Sequence, residues 1–129
     1  MARYLLDTST LIDFTKGIEP LRSRIEAMLD DNEDVIVCAV TIGELYTGFT
    51  TIDVVRWEQF IRRCRYCDIS LQAARDAGRE RFMFARRGLQ LSLPDALLAA
   101  LTREQQAILV TDNLRHFPMT DIQTISLRG

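Results

Sequence analysis

Short apolar runs alternate along this chain with longer segments of helical periodicity, and this alternation limits the possible folds more than any other feature. The segment 35–40 reads Val-Ile-Val-Cys-Ala-Val, a continuous run typical of a parallel strand covered on both faces. Strands that alternate with helices are joined by right-handed crossovers, which place helices on both faces of the sheet. The sequence therefore predicts an α/β fold with three layers, α/β/α, around a mainly parallel sheet of about five strands.

The individual elements follow from apolar spacing and from capping residues. Thr41 and Glu44 match an S/T-x-x-E capping box, Ser70 is an N-cap candidate, and Gly88 stands where a left-handed residue would end a helix. Phe82, Met83 and Phe84 are expected to be core or interface residues. The predicted strands are 3–6, 35–40, 66–69, 107–110 and 122–127, the last at an edge, and the predicted helices are 11–14 after a capping cluster at 7–10, 21–29, 41–49, 52–64, 71–87 and 93–101.

Size and composition favour one ordinary globular domain. A chain of 129 residues with 47% apolar and 26% charged residues can bury a core without disulfides, and we expect a single domain over 1–129. Its N-terminus reaches Asp7 without a long apolar run, unlike a signal or transit peptide, so a cytoplasmic protein is expected. Cys64 and Cys67 form a CxxC motif, but His116 is the only histidine, and a zinc site needs two further ligands. These cysteines are better interpreted as small apolar residues.

The net charge of −2 conceals a segregation along the chain. Residues 1–55 carry ten acidic and four basic groups, whereas residues 56–87 carry nine arginines and four acids, a local balance of +5. Arginine suits bidentate contact with phosphate, so this segment either binds a polyanion or forms a solvated helix face with ordinary salt bridges.

Four acidic residues stand where a predicted strand gives way to a helix or turn: Asp7, Glu44, Asp95 and Asp112. The carboxyl ends of parallel strands line one crevice, so these distant residues are expected to meet there. Crowded carboxylates repel one another, and a hard divalent cation relieves that repulsion and can activate water. The pattern predicts hydrolytic metal chemistry on a phosphodiester.

Each acid also has a purely structural explanation. Asp7 can cap the helix after the first strand, and Glu44 can be the reciprocal half of its capping box. Asp95 lies in a first helical turn, where a carboxylate gains from the helix dipole, and Asp112 with Asn113 can form an Asx turn. The metal hypothesis therefore depends on the conjunction of all four.

Taken in order, four segments resemble the motifs of the PIN-domain nucleases, in particular the VapC-type toxins of toxin–antitoxin pairs. The resemblance spans nearly the whole chain, and the matching segments are 5–13, 40–48, 93–100 and 109–117. It implies an endoribonuclease that uses Mg²⁺ or Mn²⁺, usually a homodimer, silenced by a small antitoxin that covers or enters the acidic pocket.

By this resemblance Asp7, Glu44 and Asp95 are metal ligands and catalytic residues. Asp112 is the fourth, although many relatives carry their fourth polar group one residue later, where this chain has Asn113.

Several neighbours of these acids are candidates for supporting roles. Ser9 and Thr111 are expected to hydrogen-bond the ligating carboxylates, together with Asn113. His116 is either an acid in the reaction or a surface residue. The candidates for RNA-backbone contact are Arg86, Arg87 and Arg115.

Two other functions fit parts of the sequence. A phosphotransfer domain would use Asp7 as a nucleophile, but Ser9 stands where one such family has a second aspartate, and Lys16 is the only lysine. A non-catalytic RNA-binding or dimerisation module would keep the fold with purely structural acids.

Overall fold

The computed structural model describes residues 2–129, apart from the side chain of Ile52, and it confirms the predicted α/β/α class. Met1, part of the predicted domain 1–129, lies outside the described residues. The strands are β1 (Arg3–Leu6), β2 (Asp34–Cys38), β3 (Arg65–Cys67), β4 (Ile108–Val110) and β5 (Gln123–Ile125). The helices are α1 (Thr8–Thr15), α2 (Leu21–Asp30), α3 (Ala39–Tyr46), α4 (Thr51–Arg63), α5 (Leu71–Arg86) and α6 (Leu93–Gln105), with a 3₁₀ turn at Leu114–His116.

The sheet is parallel throughout, in the order β3-β2-β1-β4-β5, so β1 is the central strand and β5 is an edge as predicted. Leu5 and Leu6 in β1 are both fully buried, yet they belong to different cores. Leu5 packs in a core with α5 and α6, whereas Leu6 packs in a core that contains residues of α1, α2, α3 and α4. Alternate side chains of a strand point to opposite faces, so this division shows that helices cover both faces of the sheet.

Helix ends carry the expected capping residues. Ser70 caps α5 by accepting a hydrogen bond from Ala73 N at 3.0 Å, and Gly88 adopts a φ of +77° beyond its C-terminus, as predicted. Ser92 caps α6 by accepting from Asp95 N at 3.2 Å. Among the described residues, no helix has both the length and the apolar character that a bilayer span requires.

The start of α3 corrects one prediction. The sequence places the helix start at Thr41, with Val40 in the strand, but β2 ends at Cys38 and α3 begins at Ala39. Thr41 Oγ1 donates to Cys38 O at 3.1 Å instead of capping the helix. Val40 packs against the core from the first turn of α3, and an apolar residue in such a run fits a strand or a helix equally well. Glu44 therefore lies beyond the first turn and forms no capping box.

The apolar triplet on α5 is divided between core and surface. Phe84 is 9% exposed and packs in the core, but Phe82 and Met83 are each 61% exposed. Successive residues of an α-helix point about 100° apart, so three in a row cannot all face the same core. The prediction of a core position is confirmed for Phe84. Phe82 and Met83 are not core residues, and for them the interface alternative stays a prediction.

An ionic cluster joins the neighbouring strands β1, β2 and β3. Asp34 on β2 accepts from Arg65 Nε and a terminal nitrogen at 2.9 and 2.8 Å, and Arg3 Nε lies 3.5 Å from it. The Arg65 hydrogen bonds hold the pKa of Asp34 below its ordinary value against the opposing effect of burial. A carboxylate whose pKa is depressed on folding stabilises the protein above its unfolded pKa of about 3.9, and this stabilisation is lost as the pH falls through the folded value.

We predict that Asp34→Asn lowers the free energy of unfolding by about 0.5–1 kcal/mol at pH 7, because it removes a bidentate but partly solvated ion pair. The difference from the unmodified chain should shrink as the pH falls below about 4 and through the lower folded pKa of Asp34, because the protonated carboxyl no longer attracts Arg65. Urea unfolding at pH 7 and pH 3 measures both values. Exposed Asp31 supplies the control, since Asp31→Asn should change stability by less than about 0.5 kcal/mol. An equal loss at both pH values would contradict the electrostatic explanation.

Candidate active site

Asp7 follows the last residue of β1 and is 5% exposed. It caps α1, because its Oδ1 accepts a hydrogen bond from Thr8 N at 2.7 Å. Its Oδ2 accepts from Thr111 Oγ1 at 2.7 Å and from Ser9 Oγ at 3.4 Å. Asp7 therefore does cap α1, and this contact holds its carboxylate in a position where little water reaches it.

The charge state of Asp7 reflects this surrounding. Burial raises its pKa above the ordinary value, the hydrogen bonds from Thr111, Thr8 and Ser9 oppose that rise, and the negative charge of Asp95 adds to it. Asp7 and Asp95 therefore lie close enough to repel one another, although 88 positions separate them in the sequence. The sequence predicts that all four acids meet, and the proximity of Asp7 and Asp95 is one part of that prediction. The predicted position at a strand end is wrong for Asp95, which lies in the first turn of α6 and follows no strand.

Glu44 is linked to Asp7 through one side chain. Thr8 Oγ1 donates to Glu44 Oε1 at 2.7 Å, while the Thr8 backbone N–H binds Asp7. Glu44 is exposed on α3, and because α3 begins at Ala39 its carboxylate is not engaged in a helix cap. The sequence contained no signal that singled out Thr8 for this bridging position.

Asp112 has different partners from the other three acids. Its Oδ1 accepts from Ser126 Oγ at 2.5 Å, and its Oδ2 lies 2.7 Å from Arg128 Nε. The same guanidinium binds Asp13 through two hydrogen bonds of 2.7 and 2.8 Å, which hold the pKa of Asp13 below its usual range. Asp13 is 6% exposed and was not among the predicted site residues. Its pairing with a residue 115 positions away has no local sequence signal.

The remaining candidates lie around this centre. Asn113 N donates to Thr111 Oγ1 at 3.0 Å. The side chain of His116 is 59% exposed, with Nδ1 3.5 Å from Asp95 Oδ2. Arg115 is exposed, and the guanidinium groups of Arg86 and Arg87 lie over the rings of Phe82 and Phe84, respectively.

The donor set suits a hard cation, but the four carboxylates do not form a ready metal cluster. Within residues 2–129, no group of three or more His, Cys, Asp or Glu side chains is placed to hold a metal ion. The oxygen donors and the repulsion between Asp7 and Asp95 fit Mg²⁺ or Mn²⁺ in chemical terms. Binding one ion through Asp7, Asp95 and Glu44 together would require side-chain rotation.

The chain is similar to known proteins over most of its length. The PIN domain family model matches residues 4–121. The tRNA(fMet)-specific endonuclease VapC of Salmonella typhimurium is 31% identical over 124 residues, covering 91% of each chain. Ribonuclease VapC19 of Mycobacterium tuberculosis strain H37Rv is 26% identical over 117 residues, covering 89% of this chain and 92% of the relative.

Solved structures show the same fold. DNA-bound VapBC from Salmonella typhimurium matches with a TM-score of 0.83 and 26% identity, over 98% of this chain and 99% of that one. VapBC2 from Rickettsia felis, bound to a promoter DNA fragment, matches with a TM-score of 0.82 and 20% identity, over 95% and 97%. The chain belongs to the PIN-domain nuclease family, and within that family it is of the VapC type.

We predict that Thr111→Val lowers the free energy of unfolding by about 1–3 kcal/mol, since the buried Asp7 carboxylate loses its 2.7 Å donor and Asn113 N loses its acceptor. Thr111→Ser keeps the hydroxyl and is the matched control, with a smaller loss. Urea unfolding of the three chains measures the difference. Equal stability of the Val variant and the unmodified chain would show that the hydroxyl does not support Asp7.

Proposed function

We propose that this chain is a Mg²⁺- or Mn²⁺-dependent endoribonuclease and the toxin of a type II toxin–antitoxin pair. The observation that carries the proposal is the buried carboxylate of Asp7 beside the charge of Asp95, at the carboxyl end of the central parallel strand. Two negative charges held together at a strand end are costly unless a cation offsets them. The VapC relatives are named as ribonucleases or endonucleases, which supports RNA as the substrate.

Asp7, Asp95 and Glu44 are the proposed ligands. When bound there, a divalent cation supplies Lewis-acid polarisation of the phosphate and lowers the pKa of water. The contribution of the protein is to hold Asp7 in place through Thr111 and Ser9, and to keep Glu44 near it through Thr8. These hydrogen bonds orient carboxylates that would otherwise rotate freely.

Arg128 Nε lies 2.7 Å from Asp112 Oδ2, but its guanidinium donates its hydrogen bonds to Asp13, and among the described residues Asp112 Oδ2 is buried with no hydrogen-bond partner. The positive charge of Arg128 beside Asp112 disfavours a metal cation at the same oxygen. Asn113, the alternative fourth residue, is exposed on the same turn. We therefore propose three ligands as the core of the site, and a supplementary role for the pair 112–113.

The proposed protein partners are a small antitoxin and a second copy of this chain. The structural relatives include VapBC complexes. One surface with the character that an amphipathic helix requires is a groove of about 400 Å³ lined by Phe14, Trp57 and Phe60, with Arg22 and Arg56 among its charged residues. None of the four predicted acids lines this groove, so an antitoxin that also covers the acids needs a second contact outside it.

We predict that Asp95→Asn reduces RNA cleavage by at least about 100-fold, because loss even of the partners of a metal ligand costs 10–100-fold. Its free energy of unfolding should be unchanged or slightly higher, since the substitution removes repulsion with Asp7. Cleavage of total RNA in Mg²⁺, with unfolding curves alongside, measures both. Asp31→Asn, an exposed change at the residue that follows α2, is the control and should cleave normally.

Metal binding separates the enzyme from a non-catalytic module. Mn²⁺ titrated into the unmodified chain should bind, and Asp7→Asn should weaken that binding. Absence of Mn²⁺ binding in both chains, with normal folding, would favour a binding module whose acids are structural. Unchanged cleavage by Asp95→Asn would count against the assigned site.

We predict that expression of the chain without a partner arrests bacterial growth, whereas expression of Asp95→Asn does not. Co-expression of the small antitoxin that the adjacent gene is expected to encode should restore growth. Growth curves with matched protein levels on immunoblots provide the measurement. Normal growth with abundant active nuclease would indicate a housekeeping enzyme instead of a toxin.

A further inference from the structure

A second cavity, of about 800 Å³, adjoins the candidate active site, and Asp95 forms part of its wall. The cavity lies between the C-terminal half of α5, the segment 89–92 that leads into α6, and the 3₁₀ turn. Its volume is in the range of small-molecule sites and is large enough for a nucleotide. A substrate that reaches Asp95 therefore has an adjoining space in which its neighbouring portion can lie.

One wall of this cavity is aromatic and open to solvent. Phe82 lines the cavity with 61% of its surface exposed, an unusual position for a phenylalanine without a partner to cover it. The Arg86 guanidinium lies 5.7 Å from the centre of the Phe82 ring, close enough for a cation–π contact. Leu89, 41% exposed, continues the apolar wall. An exposed ring of this kind offers a flat face to a planar ligand.

The lining of the cavity is also cationic. Arg81 and Arg115 line the cavity with His116, and Asp95 is the one carboxylate that lines it. Arg81 Nε donates to Leu91 O at 2.8 Å, which anchors its guanidinium at the cavity edge. The charge of the lining therefore complements an anion, and arginine is well suited to phosphate. A ring face next to arginines matches a nucleotide, which has a planar base and an anionic phosphate.

We propose that this cavity is a subsite for single-stranded RNA, in which Phe82 stacks with one base and Arg115 binds a backbone phosphate beside the cleavage position. This proposal rests on the nuclease function proposed above. Proteins that bind single strands combine such a stacking surface with a basic groove. A duplex keeps its bases stacked on one another, so the Phe82 face selects an unpaired nucleotide over a paired one. The occupant is the RNA chain on one side of the phosphate that is cut.

The test measures RNA binding separately from RNA cleavage. The Asp7→Asn chain is used in EDTA, because asparagine caps helices as well as aspartate does and this background should not cut RNA. The probe is a short, unstructured RNA labelled with fluorescein, titrated by anisotropy. Adding Phe82→Ala should raise Kd about tenfold, whereas Phe82→Trp should stay within about twofold, since any aromatic ring provides a stacking face. Met83→Ala is the matched control: Met83 is also 61% exposed, is adjacent to Phe82, and does not line the cavity.

Two further readouts separate stacking from charge. A 2-aminopurine base placed in the probe should lose fluorescence on binding, and Phe82→Ala should restore that fluorescence at one position. Arg115→Gln should reduce the slope of log affinity against log salt by about 0.7, as expected for one phosphate contact on a single strand, while Phe82→Ala should leave the slope unchanged. Arg75→Gln, an exposed arginine on α5 outside the cavity, should have a smaller effect.

Each outcome identifies which proposal fails. If Phe82→Ala binds RNA like the parent chain, or Met83→Ala binds equally poorly, the subsite is overturned even when the unmodified chain cleaves RNA. If Phe82→Ala leaves RNA binding intact but dissociates a dimer in sedimentation, the occupant of this surface is a second copy and the subsite is again overturned. If Phe82-dependent binding is found but the unmodified chain cuts no RNA, the subsite is supported and the nuclease function fails.

Discussion

The structure depends on the burial of one carboxylate at the end of its central strand. Asp7 extends the ladder of β1 by donating its N–H to Val110 O at 2.9 Å, and Thr10 of α1 donates its hydroxyl to the same carbonyl at 3.0 Å. The backbone at this point is therefore fixed by β4 on one side and by α1 on the other. A charge in such a place is tolerated only with hydrogen bonds or a counter-ion, and the site is arranged around that requirement.

Much of this arrangement could be predicted from the sequence, because it follows from the parallel topology. The end of β1 determines where Asp7 lies, and the threonine after β4 necessarily lies beside β1, its neighbour in the sheet. Asp95 follows no strand, and its position comes from the first turn of α6. Glu44 shows where local pattern fails. In the sequence, a capping box is enough to explain why a glutamate stands at position 44. The helix begins two residues before Thr41, however, so the Glu44 side chain is not used in a helix cap.

The features that could not be predicted concern which side chains find one another across long separations. Arg128 lies between Asp13 and Asp112. The chain contains several other acids, and only the completed fold determines which of them Arg128 contacts. The rotation of α5 that buries Phe84 and exposes Phe82 depends on how α5 packs against its neighbours. Amphipathic spacing alone predicts that a helix has a buried face, but three adjacent apolar residues do not reveal which of them occupies it.

The arginine-rich segment 56–87 illustrates the same limit and also bears on function. The salt-bridge interpretation is confirmed for part of it, and polyanion binding stays a prediction. Arg63, Arg65 and Arg79 form ion pairs with Asp30, Asp34 and Asp76, whereas Arg81 lines the cavity beside Asp95 and Arg86 lies on the Phe82 ring. Ion-paired arginines give little net attraction to a distant polyanion, so the local balance of +5 overstates the basic surface. Beside Asp95, the basic residues are those that line the cavity, Arg81 and Arg115. In the proposed subsite, negative charge that suits cations and positive charge that suits phosphates meet at Asp95, and this arrangement would give an RNA strand a defined position relative to the proposed ligands.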